Sequence, residues 1–93
     1  MALGAISSSA VTLLDVLISD HGQKWVRPRR VSDTIGMTVR TARRNWARLE
    51  LFGLVHVDKS NQLRKKVRAT PLGQALIDAR YEPPGVRLER AAS

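Results

Sequence analysis

The chain has 93 residues, is 43% hydrophobic, contains no cysteine and carries a net charge of +8. That length makes one small domain, and the missing cysteines exclude disulfides, thiolate chemistry and Cys-type zinc sites. The charge is concentrated between Lys24 and Arg68, where only Asp33, Glu50 and Asp58 oppose the lysines and arginines, so a polyanion is the natural partner. No run approaches the roughly 18 apolar residues of a membrane span. The N-terminus lacks the basic region of a signal peptide. The expected location is cytoplasmic, at the nucleoid, with no membrane partner.

Residues 1–8 read as a loose leader. Ser8 or Ser9 can cap a helix running to about His21, with Val11, Leu14, Leu17 and Ile18 at helical spacing and Leu13 and Val16 widening the stripe. Gly22 is its C-terminal cap. Gln23–Arg27 is a short extended rung whose Trp25 and Val26 are expected in the core. Pro28 suits the first turn of a helix, and Arg29–Ile35 continues it with Val31 and Ile35 at i and i+4. Gly36 ends that helix, Met37 is a buried turn residue, and Thr38 caps the next helix.

Thr38–Gly53 reads as one amphipathic helix. At about 100° per residue, Val39, Ala42, Trp46 and Leu49 share a side, with Asn45 at its margin. Arg40 and Arg44 lie opposite, around the small Ala47, flanked by Thr41, Arg43 and Arg48. A short helix, a tight turn and a longer helix make the layout of a helix-turn-helix.

Leu54–Asp58 and Leu63–Ala69 alternate around the polar turn Lys59-Ser60-Asn61-Gln62, which predicts a β-hairpin. Its outer face carries Arg64, Lys66 and Arg68, and its tip Lys59, Arg64, Lys65 and Lys66. Thr70 caps and Pro71 opens a last helix with an apolar face of Leu72, Ala75, Leu76 and Ala79. Glu82-Pro83-Pro84-Gly85 stops it, and residues 81–93 read as a loose tail.

The arginine face suits phosphate, an acidic protein or, best, duplex DNA. The DNA major groove is about 12 Å wide and admits a helix, and the guanidinium fork matches guanine O6 and N7 as well as phosphate. The plain alternative for both the helix and the hairpin is a solvated basic face. Enzyme chemistry finds no support. His21 and His56 are isolated and not in metal-ligand spacing, no glycine-rich phosphate cradle is present, and the aspartates are scattered. No catalytic residue, metal or cofactor is expected. Trp25 and Trp46 sit at core spacing, which favours packing over stacking on bases. Leu51 and Phe52 are the one apolar feature suited to a protein partner.

The order helix, rung, helix, helix, hairpin, helix resembles a winged helix-turn-helix domain, and most closely the MarR and PadR groups of regulators. Val31–Val55, VSDTIGMTVRTARRNWARLELFGLV, resembles their helix-turn-helix. Ala69–Ile77, ATPLGQALI, resembles the helix start that follows their wing. The layout covers residues 9–80. The fold class so implied is α+β, mostly α: a three-helix core, a β-hairpin wing and a trailing C-terminal helix. The resemblance implies double-stranded DNA as partner. Thr38, Arg40, Thr41, Arg43 and Arg44 would enter the major groove and Arg48 would hold phosphate. Arg64, Lys65 and Lys66, with Lys59, would serve the wing, and Arg29 and Arg30 would hold phosphate beside the first helix of the motif. Two features depart from the MarR pattern. The long flanking helices that build the dimer and ligand pocket are missing, so no small-molecule effector is evident and a homodimer would use the first or last helix. The wing has Leu63-Arg64-Lys65-Lys66 in place of the usual aspartate–arginine pair.

The resulting expectation is a site-specific, homodimeric transcriptional repressor without catalytic machinery. An architectural or partition-type protein that spreads along DNA, and a protein-interaction adaptor, are the alternatives.

Overall fold

The computed structural model describes residues 6–81. Of the expected leader and tail, residues 1–5 and 82–93 lie outside the described residues. Ile6 to Ser8 join the domain instead: Ile6 packs on the core, Ser7 caps the first helix and Ser8 begins it.

That helix, α1, spans Ser8–His21. The Ser7 hydroxyl accepts the Ala10 N–H at 3.2 Å, which places the cap one or two residues before the expected Ser8 or Ser9. The buried stripe is Ala10, Leu13, Leu14 and Leu17, while Val11 and Ile18 lie half-buried at its margins. Gly22 closes the helix and donates its N–H to the Ile18 carbonyl at 2.9 Å.

The rung follows as a single bridge. Val26 and Val67 exchange backbone hydrogen bonds of 3.0 and 2.7 Å. Successive residues of extended chain face opposite ways, so only one of Trp25 and Val26 can point inward. Val26 does, and Trp25 is 40% exposed, contrary to its expected place in the core. The smaller side chain fits against the fully buried Val67.

Helix α2 spans Pro28–Thr34, with Val31 and Ser32 buried and Ile35 as its C-cap. The Met37 N–H returns to the Ser32 carbonyl at 3.0 Å, and Met37 is half-buried rather than buried. Helix α3 spans Val39–Leu51. The Thr38 hydroxyl accepts the Thr41 N–H at 3.3 Å at its start. At its end, Gly53 and Leu54 donate to the Glu50 and Leu49 carbonyls, closing a Schellman motif. Gly53 has φ 73°, a conformation in which an ordinary side chain is strained.

Strands β1 (Val55–Asp58) and β2 (Lys66–Ala69) pair antiparallel, Val55 opposite Ala69 and Asp58 opposite Lys66. The second strand is shorter than expected. Gln62–Arg64 turns as a 3-10 helix because the Asn61 side chain accepts the Leu63 N–H at 3.0 Å. Leu63, expected in the strand, is 87% exposed at the tip.

Helix α4 spans Pro71–Tyr81. The Thr70 hydroxyl accepts the Gly73 N–H at 3.0 Å and donates to the Gly53 carbonyl at 2.6 Å. Its inward face is Gly73 and Ile77, with Leu76 half-buried; Leu72, Ala75 and Ala79, expected on that face, are exposed. Gly73 explains the difference. A Cβ there would collide with the Leu54 carbonyl oxygen, so the helix turns its one residue without a side chain toward the strand. The buried core joins all these elements, from Leu13 and Leu17 through Val31 and Leu49 to Val67 and Ile77.

Gly73→Ala is expected to destabilise the domain by about 1–3 kcal/mol, the usual cost of overpacking. Thermal or urea unfolding measures it. An unchanged midpoint would show that the contact with Leu54 is not tight.

Candidate nucleic-acid interface

Helix α3 is held to the core by a narrow stripe: Ala42, Asn45, Trp46 and Leu49. Asn45, placed at the margin by its helical angle, is only 3% exposed. Its amide donates to the Ser9 hydroxyl at 3.2 Å and the Met37 sulfur at 3.5 Å, and its carbonyl accepts from the Ser7 hydroxyl at 3.4 Å. It thus ties α3 both to the start of α1 and to the turn before α3. The Trp46 ring is buried, and its indole N–H finds no hydrogen-bond partner among the described residues.

Everything opposite this stripe is exposed: Arg40, Thr41, Arg43, Arg44, Ala47 and Arg48. Val39 is exposed too, at 50%, although its helical angle placed it on the buried side. It stands on the first turn of α3 and lines the groove between α2, α3 and the wing. Thr38 is occupied with capping, and its hydroxyl also donates to that of Thr41 at 3.0 Å.

The wing stands beside α3 across that open groove, whose volume is about 890 Å³. Arg27, Arg29, Arg30, Arg43, Lys59 and Lys65 contribute cations to it, over Trp46, Val57 and Val67. Arg64, Lys65 and Lys66 are exposed, as the hairpin pattern implies. Lys59 has a different setting. Its ammonium pairs with Glu50 at 3.2 Å and so links the wing to the end of α3. Arg29 pairs with Asp33 at 3.9 Å on the surface of α2, a contact worth little to stability. Arg30 is exposed beside it. Helix α2 has seven residues and opens on Pro28, which has no N–H, so an anion there would be held by these side chains and not by the helix end.

Sequence reasoning missed Arg27. Its guanidinium donates to the Leu63 carbonyl at 3.5 Å and bridges from the start of α2 to the wing tip. Its place just before Pro28 marks it as a helix-capping position, but the contact spans 36 residues and no local pattern reveals it. Among the described residues no helix is long and apolar enough to cross a membrane.

At the wing, the Asp58 carboxylate accepts the Ser60 N–H at 2.9 Å. The Ser60 side chain, the Ser60 amide and then Lys66 hold the Asp58 carboxyl below the ordinary carboxylate range. A depressed acid stabilises the fold above its unfolded pKa, about 3.9, and that contribution fades as pH falls through the lower folded value. The Ser60 amide resonance should therefore titrate with a midpoint below about 3.9, and Asp58→Asn should abolish that titration. Asn45→Ala is expected to cost about 1–3 kcal/mol, through lost and unsatisfied buried hydrogen bonds; an unfolding curve like that of the parent would remove its anchoring role.

No family model and no curated protein matches the sequence. Two solved structures match in fold. A point mutant of MepR from S. aureus superposes with a TM-score of 0.68 at 22% identity, over 83% of this chain and 56% of that one. The PcaV transcriptional regulator from Streptomyces coelicolor gives 0.67 at 21% identity, over 94% of this chain and 60% of its own. The chain therefore spans less than two thirds of either. At this identity the agreement is one of fold alone, and that fold is a winged helix.

Proposed function

We propose that this chain binds double-stranded DNA site-specifically, with α3 in the major groove and the basic wing on the backbone or minor groove. The observation that carries the reading is the outward side of α3. Arg40, Arg43 and Arg44 surround the small Ala47 with no acid among them and no cover from the fold. Arg40, Thr41 and Arg44 read base edges, Thr38 sets the start of the helix at the groove, and Arg43 and Arg48 hold phosphate or base. Arg64, Lys65 and Lys66 hold the flanking backbone from the wing. Lys59 serves the wing through its bond to Glu50. The fold shared with PcaV, a transcriptional regulator, supports a regulatory role.

In this reading the protein is a homodimeric repressor that acts by occupying its site, in the cytoplasm at the nucleoid, with residues 9–80 as the working unit. The exposed row Leu72, Ala75 and Ala79 on α4 gives the dimer an apolar surface of the right kind. Phosphate contacts supply most of the affinity and make it salt-dependent. Base contacts supply choice, each good bidentate pair being worth about 1–3 kcal/mol.

A second reading, a protein that spreads along DNA, draws support from the cations that lie away from α3, such as Lys24 and Arg68. A footprint separates the two: a short bounded site marks a repressor, and protection that grows with protein concentration marks spreading.

Selection from random duplexes at two salt concentrations is expected to return a motif with two-fold symmetry. Arg44→Ala should relax preference at one position of it. Lys66→Ala should weaken all sequences alike and lower the salt slope by about 1. Equal loss on every sequence for Arg44→Ala would remove its reading role, and no binding at low salt would overturn the DNA reading altogether.

A further inference from the structure

The cations of the middle segment do not all lie on α3 or at the wing tip. Val26, Val55, Val67 and Ala69 form the buried inner face of the sheet. Alternation puts Trp25, Arg27, His56, Asp58, Lys66 and Arg68 on the outer face, turned away from α3. The pairing of Val26 with Val67 and of His56 with Arg68 sets Trp25, Arg68 and His56 in one row across the sheet. Arg27, Lys66 and Asp58 form the next row.

In the first row the Arg68 guanidinium lies 4.6 Å from the centroid of the Trp25 ring. The stacking fixes Arg68 over the sheet and leaves its charge at the surface. Beside Trp25 a cleft of about 640 Å³ opens between the end of α1 and the sheet, lined by Lys24, Arg27, Arg30, Arg64 and Lys66, with Asp20 as its acid. Among the described residues none of these cations, nor Arg68, forms an ion pair. The Asp58 carboxylate accepts the Ser60 N–H and keeps its charge opposite Lys66. On this face only Asp20 and Asp58, the latter opposite Lys66, oppose six cations, so a net positive charge remains, and a polyanion relieves its self-repulsion.

We propose that this outer face is a second DNA contact, which holds the backbone of the same duplex that α3 engages. The inference rests on the DNA-binding reading above and extends it. Continuity identifies the occupant. Arg27 and Arg30 line both this cleft and the groove beside α3, so the cationic surface runs unbroken around the base of the wing. A straight duplex against α3 cannot reach a face turned away from it, so the duplex curves around the wing, its deformation offset by the added phosphate contacts. Lys24 and Arg68 hold phosphates, and Trp25 keeps Arg68 in place.

The test uses the double variant Lys24→Glu/Arg68→Glu, with Lys24→Glu alone as the milder change, since Lys24 is an exposed side chain outside the core. Affinity is measured on a duplex of about 30 base pairs and on one trimmed to about 20, which still holds two half-sites whose centres lie one turn apart. The end-to-end distance of the long duplex is read by fluorescence transfer. On the long duplex the double variant should bind about tenfold or more weaker near 0.1 M salt, with a salt slope lower by about 2. The single variant should show about half of that change in slope. The bound long duplex should straighten, and binding to the short one should stay within about twofold. Equal loss on both lengths, or no loss on either, overturns the inference while leaving α3 as the DNA contact. Weaker binding to the long duplex with its end-to-end distance unchanged overturns the assignment to the same, curved duplex. If the parent protein binds neither duplex at low salt, the DNA reading fails and this inference fails with it.

Discussion

A helix that gives most of its circumference to charge has little left with which to hold itself in place. For α3 the holding side is Ala42, Asn45, Trp46 and Leu49, and the rest of the domain is arranged to make that narrow stripe sufficient. Both ends are tied by backbone or side-chain bonds: Thr38 at the start, the Gly53–Leu54 closure at the end. Between them Asn45 adds a polar tether to α1 and the turn. A purely apolar residue at that place would pack but would not fix the rotation of the helix about its axis. Hydrogen bonds are directional and dispersion is not, so the amide sets which residues face outward.

The charge distribution follows from the same constraint. Acids are scarce near α3, and two of them are used structurally: Glu50 holds Lys59 and Asp33 meets Arg29. Arg40, Arg43 and Arg44 keep their charge unopposed by neighbouring acids on the outward face. The free domain carries self-repulsion as a result, and an anionic partner gains by relieving it. Such a surface favours fast, salt-sensitive encounter, with selectivity added at close range by the guanidinium forks.

Much of this was legible in the sequence because it is governed by local rules. The cap at Thr38, the stop at Gly53, the pairing of two alternating runs and the outward set on α3 are set by residues within a few positions of each other. The misplacements are of another kind. Trp25 and Val26 compete for one inward position, and the winner depends on Val67, far away in the chain. The face of α4 turned on Gly73 meeting a carbonyl of Leu54, whereas a helical wheel sees a glycine only as a weak hydrophobe. Val39 lies on the buried angle of α3, yet nothing reaches that turn to bury it. Ser7 caps the helix in place of Ser8 and Ser9, while the Ser9 hydroxyl is taken by the distant Asn45 amide. Lys59 and Arg27 found partners across the fold, and such partners leave no trace in spacing.

The joint at Thr70 has a mechanical consequence. One hydroxyl accepts from the first turn of α4 and donates to the residue that closes α3, while Gly73 rests against Leu54 with no room between. The two helices therefore share a rigid corner, not a flexible link. The start of α4 and the end of α3 thus hang on one hydroxyl, and its loss would loosen both at once.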